Sequence, residues 1–305
     1  MEKKKVKIIT HSGSFHADEV FAVATLKLML GKDFEIEVIR SRDKSDWDSG
    51  DYVVDVGGVY DPSRQRFDHH QEGGAGAREN TLQYSSFGLV WKHYGEVVSG
   101  SRDVARRIDE RLVQGVDAID NGQSISKSLI PGVRHFTISD YFTLLRPGWH
   151  ESEHDYYKAF LEAVDFAGHL LQRLIVQTRG EVEAEAVVRK QIKTSPDKRV
   201  AEIDHNLPYE SVAMEFPELL YVVYQDDENS WRIKTVRKSF DSFESRRPLP
   251  ESWGGKVGEE LGKITGVPDA TFCHRQLFTC GAQTREGVMK MVETALKSLY
   301  KTSDV

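Results

Sequence analysis

Apolar residues fall in short runs whose period changes along the chain. Residues 6–10 (Val-Lys-Ile-Ile-Thr) form a brief apolar run before the loop His11 to Phe15, which predicts a buried strand. A helix is expected from about Asp18 to Leu30, stopped by Gly31. Phe34 to Arg40 alternates apolar and charged residues, the period of a strand. Tyr52 to Asp55 reads as a third strand ended by Gly57-Gly58, and Arg64 to Phe67 as a short fourth. Thr81 to Tyr94 and Val104 to Asp117 carry helical spacing. Strands alternating with helices predict an α/β domain with a largely parallel sheet.

The pattern then shifts. Phe160, Val164, Ala167, Leu171, Leu174 and Ile175 recur at helical spacing, predicting one or two long helices with Gly180 as the candidate break. After Lys193 to Asp197, Leu219 to Tyr224 reads as a strand, Asp226 to Asn229 as a turn and Trp231 to Val236 as the return strand. A last helix is expected over Thr284 to Tyr300. The organisation expected is therefore a metal-binding α/β domain over 1–150, a helical linker over 151–197 and a smaller α/β substrate-binding domain over 198–305.

Composition narrows the class. Of 305 residues, 39% are hydrophobic and 29% charged, a globular balance. No apolar run reaches the ~18 residues of a spanning helix, so no membrane partner is expected. The start, Met1-Glu2-Lys3-Lys4-Lys5, lacks the apolar core of a secretory signal, and a cytoplasmic location is expected. Cys273 and Cys280 match neither a zinc ribbon nor a redox pair and read as reduced thiols in or near a core. The net charge of −7 means that any polyanion must be held by a local patch or by bound metal.

Four segments carry candidate chemistry. His11, His16, Asp18 and Glu19 lie between the first strand and the first helix, where ligands of open α/β sheets bind. Capping accounts for Asp18 and the helix dipole for Glu19, but neither accounts for the histidines. Asp55 closes an apolar strand, where its desolvation calls for a compensating charge. Asp68-His69-His70 follows another strand; His69 can bind metal, His70 can face substrate and Asp68 can orient an imidazole. Asp117 and Asp120 lie at a helix end, and their spacing does not decide between them. Together these residue types suit a two-metal site in which a carboxylate such as Asp55 bridges ions roughly 3.5–4 Å apart. Imidazole plus carboxylate without thiolate suits Mn²⁺, with Mg²⁺, Co²⁺ or Zn²⁺ as alternatives.

The ordered set HxxxxHxD (His11, His16, Asp18), strand-Asp (Asp55), Asp-His-His (68–70) and a late Asp resembles the DHH phosphoesterase superfamily. That superfamily includes RecJ-type exonucleases, oligoribonucleases and manganese-dependent pyrophosphatases. The fuller resemblance is to its Myg branch (melanocyte-proliferating-gene proteins, long labelled metal-dependent protein hydrolases). It rests on THSGSFHADEVFA (10–22), FDHHQ (67–71), VDAIDNG (116–122), ESW with Gly254-Gly255, and TREG (284–287). The resemblance implies one metal on His11, His16 and Asp55. It implies a second on Asp18, Asp55, His69 and Asp120 or Asp117, with His70 on a phosphate. It also implies 3′-to-5′ exonuclease activity on RNA. The superfamily usually has Asp in the place of His16, one residue nearer the first His. It also has a glycine-rich GGGHxxA pattern in the second domain, where this chain offers Gly254-Gly255 and Cys273-His274-Arg275.

A basic stretch in the second half interleaves Arg232, Lys234, Arg237, Lys238, Arg246 and Arg247 with Tyr224, Trp231, Phe240 and Phe243. Charge with aromatics suits single-stranded nucleic acid, although a hairpin with one solvated face gives the same alternation. The expectation is a metal-dependent phosphoesterase acting on RNA, an oligonucleotide or a nucleotide. Asp55, Asp68, His69 and His70 would serve the chemistry, and His70, Arg237, Arg246, Arg247, His274 and Arg275 would hold the substrate. The alternatives are a non-catalytic nucleotide- or RNA-binding protein of the same fold and a hydrolase of a small phosphate compound. The sequence sets no oligomeric state.

Overall fold

The computed structural model describes residues 3–151 and 155–298. Met1, Glu2 and the expected end of the last helix at Leu299 and Tyr300 lie outside them. The protein is α/β, with two five-stranded sheets. The chain divides into two compact units, residues 1–179 and 180–305. Among the described residues, no helix is long and apolar enough to cross a membrane.

In the first unit, β1 (Lys4–Thr10) leads through α1 (Ala17–Leu30) to β2 (Phe34–Arg40). The short α2 (Lys44–Ser49) precedes β3 (Tyr52–Val54). β4 (Tyr60–Asp61) and β5 (Arg66–Phe67) follow. The sheet order is β2-β1-β3-β5-β4, and only the β4–β5 pairing is antiparallel. The chain leaves β1 for β2 on one side and returns to β3 on the other. That reversal opens a crevice at the carboxyl ends of β1 and β3.

α1 is buried from Ala17 through Leu26 because it is covered on several sides. A helix apolar on all faces belongs in an interior. It packs on α3 (Ser86–Ser99), α5 (Gln114–Asp120) and α6 (Ile138–Leu144). Phe21 stacks on Phe87 at 4.9 Å between ring centres and meets Phe142 edge-on at 5.4 Å. α4 (Arg102–Ile108) joins α5 through a π-helical turn, Asp109–Val113.

α7 (Tyr156–Thr194) is one continuous helix, to which both units contribute. Gly180 does not break it, since a single glycine costs a helix interior only about 1 kcal/mol. In the second unit β6 (Val200–Glu202) and α8 (Glu210–Ala213) precede the hairpin β7 (Tyr221–Gln225) and β8 (Trp231–Thr235). α9 (Gly258–Thr265), β9 (Ala270–Cys273), β10 (Thr279–Ala282) and α10 (Arg285–Lys297) complete it. The order is β6-β7-β8-β10-β9, with β6 parallel to β7 and the rest antiparallel. The strand period of two divides its core: Tyr221 and Val223 pack with α9 and α10, while Val222 and Tyr224 pack with Val188, Ile192 and α8. Cys273 and Cys280 face each other on β9 and β10 as free, buried thiols.

Two sequence expectations shift. The helix expected from Thr81 starts at Ser86, because Thr81 adopts a left-handed backbone (φ 67°) and the chain stays irregular to Ser85. The apolar spacing had extended the helix backwards into that turn. Asp18 does not cap α1; His16 occupies that position, and the Glu19 carboxylate accepts the His16 backbone N–H at 2.8 and 2.9 Å.

The aromatic packing on α1 sets the stability of the first unit. Phe87→Ala is expected to cost about 3–5 kcal/mol in urea unfolding. A loss below about 1 kcal/mol would show that the Phe21–Phe87 stack is not part of the packed core.

Candidate metal centre

The crest of the first sheet gathers side chains from four segments. His11 follows β1, Asp55 follows β3, Asp68 and His69 follow β5, and α1 and α5 bring Asp18 and Asp120. Asp55 has a left-handed backbone (φ 57°), a conformation Asp tolerates better than most residues. Its N–H donates to Phe67 O at 3.1 Å, and the Ser86 hydroxyl donates to its carboxylate at 3.1 Å.

Asp68 fixes the loop that carries the histidine pair. Its carboxylate accepts from the N–H groups of Gly58 (2.6 Å), His69 (2.7 Å) and His70 (3.1 Å), and pairs with His70 Nδ1 at 2.8 Å. Burial raises its pKa, but the His70 contact and these N–H donors outweigh burial and hold the carboxyl below its ordinary value. Gly58 has φ 66°, which lets its N–H turn towards Asp68. The pairing with Asp68 is the leading cause that raises the pKa of His70, whose side chain remains 62% exposed.

Carboxylates crowd the interior of the site. His11 Nε2 lies 3.0 Å from Glu19 and 3.3 Å from Asp55. His69 Nε2 lies 3.1 Å from Asp120 and 3.4 Å from Asp55. Burial lowers both imidazole pKa values, but the neighbouring carboxylates override it and lift each to about 10. Burial pushes the Asp55 pKa up, yet His11 and His69 pull it well below the usual carboxylate range. For Asp18, burial and then the charges of Asp55, Asp120 and Glu19 all push the pKa up.

Donor atoms of four trios lie within 4.8 Å of one another: His11, His16 and Glu19; Asp18, Glu19 and Asp55; Asp55, His69 and His70; Asp18, His69 and Asp120. Both Asp18 oxygens are buried with no hydrogen-bond partner among the described residues. Orphaned buried acceptors of this kind need an explanation, and a cation supplies one. Hard carboxylate oxygens with imidazoles fit a divalent first-row ion or Mg²⁺.

Asp117 and Asp120 part company here. Asp117 accepts from Arg78 (2.5 Å), the Ser85 hydroxyl (2.7 Å) and Gly88 N–H (3.0 Å), away from the cluster. Arg78 also pairs with Asp109 at 2.7 Å, which braces the π-helical turn. Glu19, one of the four potential ligands of the first segment but absent from the sets that the resemblance implies, lies inside the cluster. Its signal was the His16-x-x-Glu19 spacing of a reciprocal cap. Arg42 and Arg146, not singled out from sequence, line the same cleft of about 1030 Å³. Arg42 stands just past the end of β2, at the same crest as His11.

The basic residues of the second unit do not gather as one set. Arg246 donates to the carbonyls of Ala213, Phe216 and Leu219, and Arg247 to those of Leu296 and Ser298. Both brace backbone, whereas the sequence expectation had them hold substrate. His274 Nδ1 accepts the Gln276 N–H at 3.1 Å, and Arg275 is exposed. Arg237 borders a separate cavity.

The family model labelled MYG1 exonuclease, described as uncharacterised protein family UPF0160, matches residues 7–296. The chain belongs to this family. A MYG1 protein of Dictyostelium discoideum is 34% identical, across 97% of this chain and 98% of its own. A MYG1 exonuclease of Homo sapiens is 32% identical, across 95% of this chain and 85% of its own. The family match spans both the His-Asp crest and the second unit.

Asp117 yields a prediction that separates anchoring from ligation. Burial pushes its pKa up to about 6 against the pull of Arg78 and Ser85. Arg78→Gln leaves that carboxylate buried and unpaired, at an expected cost of about 3–5 kcal/mol near neutral pH. A folded-state pKa raised above the unfolded value favours folding most at low pH. That contribution is lost as pH rises through the folded pKa. The deficit of Arg78→Gln should therefore be largest above neutral pH and shrink on acidification towards about pH 6, where Asp117 takes up its proton. Denaturant melts across pH measure it; a pH-independent deficit would exclude Asp117 as its source.

Proposed function

We propose that the protein is a metal-dependent phosphodiesterase, a 3′-to-5′ exonuclease acting on RNA or short oligonucleotides through a dinuclear site. The observation that carries this reading is the buried Asp18 carboxylate, unpartnered among the described residues, beside Glu19, Asp55, His69 and Asp120. Membership of a family whose relatives are named exonucleases supports the reaction class.

Asp55 is the natural shared ligand, because it alone neighbours both His11 and His69. Asp18, His69 and Asp120 would hold one ion; His11, with His16 and Glu19, would join Asp55 on the other. This adds Glu19 to the sets implied by the family resemblance. Mn²⁺ is the proposed metal, since imidazole with carboxylate suits it. When bound, such a pair supplies Lewis acidity towards phosphoryl oxygens and makes hydroxide available near neutral pH.

The protein's own groups do the rest. His70 presents an exposed imidazole at the cleft, oriented through Nδ1 by Asp68, so that Nε2 meets a substrate phosphate. Arg42 and Arg146 add fixed positive charge to the cleft wall. In the second unit Arg237, His274 and Arg275 are proposed substrate contacts.

Asp55→Asn is expected to lose bound metal by elemental analysis. It should also lower Mn²⁺-dependent hydrolysis of a labelled RNA oligonucleotide by at least about 100-fold. His70→Gln should keep the metal and lower turnover by about 100-fold or more. Absence of Mn²⁺-dependent hydrolysis of any oligonucleotide, dinucleotide or pyrophosphate by the wild type would defeat the proposal.

Metal loading must displace protons from His11 and His69, whose pKa values stand near 10. Mn²⁺ affinity should therefore increase with pH between about 6 and about 9. Calorimetry in buffers of different ionisation enthalpy should register proton release. A pH-independent affinity would remove the imidazoles from the ligand set.

A further inference from the structure

The second unit contains a cavity of about 720 Å³ that belongs to no part of the metal centre. That size falls within the ~300–1,000 Å³ typical of small-molecule sites. Its walls come from α8, the end of β8 and the chain beyond it. There Lys238 N–H donates to Glu244 O and Arg246 N–H to Val236 O, both at 2.8 Å, closing a hairpin loop. The loop tip holds Phe240 and Phe243, which are 61% and 87% exposed. Large aromatics so exposed mark a surface that meets something.

Three further features say what that partner is. Arg237 lies 4.7 Å over the Phe243 ring, and Lys234 lines the same wall, so the cavity carries two cations against the one carboxylate of Glu210. Tyr209 is only 4% exposed and borders the cavity, next to Glu210. Thr235 and Ser245, both buried in the wall, pair their hydroxyls at 2.6 Å and add polar groups to it.

We propose that this cavity binds a nucleotide. The aromatic base stacks against the Phe240 and Phe243 rings, and its phosphate is held by Arg237 and Lys234. Stacking with cationic support is how bases and phosphates are recognised without sequence reading. The Tyr209 hydroxyl and the Glu210 carboxylate offer a donor and an acceptor to the polar edge of the base. The site is distinct from the metal cluster, and its occupation does not depend on metal. A free nucleotide and the end of a single strand present the same chemistry to it.

The test is calorimetric titration of the full-length protein in chelator. The ligands are a nucleoside 5′-monophosphate, the matching nucleoside, inorganic phosphate and a short oligoribonucleotide. The monophosphate should saturate at one per chain, with nucleoside and phosphate at least about tenfold weaker. Arg237→Gln should weaken the monophosphate by about tenfold or more, and Tyr209→Phe by a smaller factor, with thermal melts like wild type. Tighter binding of the oligonucleotide assigns the site to a strand end, and equal binding to a free nucleotide; either supports it. Failure of the monophosphate to saturate, or titrations unchanged by both substitutions, overturns it. Because chelator is present throughout, that failure would leave the proposed metal-dependent hydrolysis untouched.

Discussion

Like charges held close together in a buried pocket govern the architecture of the first unit. Asp18, Glu19, Asp55 and Asp120 converge at one end of the sheet. Two unit charges 4 Å apart repel by about 4 kcal/mol at an effective dielectric of 20. Several such pairs share this site, so the fold tolerates it only with positive charge close by. His11 and His69 supply some as imidazolium, which is why their pKa values stand near 10. Asp18 has no such partner, and burial with three neighbouring carboxylates pushes its proton affinity upward. A divalent cation among these oxygens would relieve both the burial and the repulsion.

Holding these charges together requires anchors outside the cluster. Asp68 is one: three backbone N–H groups and His70 converge on it, so the Asp-His-His turn cannot relax away from Asp55. Asp117 is another. It ties α5 to α3 through Gly88 N–H and Ser85, and to the chain after the histidine pair through Arg78. Asp120, one helical turn on, is thereby fixed beside His69. The left-handed backbone at Asp55 is a third device, since it turns the carboxylate out of the strand and onto the crest. Local strain of this kind persists where surrounding bonds over-determine it. Here those bonds run to Phe67 and Ser86.

Much of the site was legible because each of its first three segments follows a strand whose period is plain in the sequence. His11, Asp55 and Asp68 stand just beyond apolar runs, and parallel strands bring their carboxyl ends to one crest. The choice between Asp117 and Asp120 was not legible. Both lie on one short helix, and the residue that claims Asp117 is Arg78, far back in the chain. Glu19 stood among the candidates, but the helix dipole accounted for it equally well, and only its neighbours in space place it in the cluster. The helix start at Ser86 was missed because apolar spacing does not report the left-handed turn at Thr81. Arg246 and Arg247 illustrate a broader point: a basic run shows charge but not the carbonyls that will engage it.

The two units treat negative charge in opposite ways. With a net charge of −7 the protein gives a phosphate no long-range attraction, and the carboxylates of the crest oppose one at close range. Two divalent ions would reverse the local sign, so substrate affinity at the crest becomes a consequence of metal loading. The cavity of the second unit carries its own cations and aromatic rings and needs no such reversal. The acidity that makes the crest a good metal site also makes it a poor phosphate site until the metal is there.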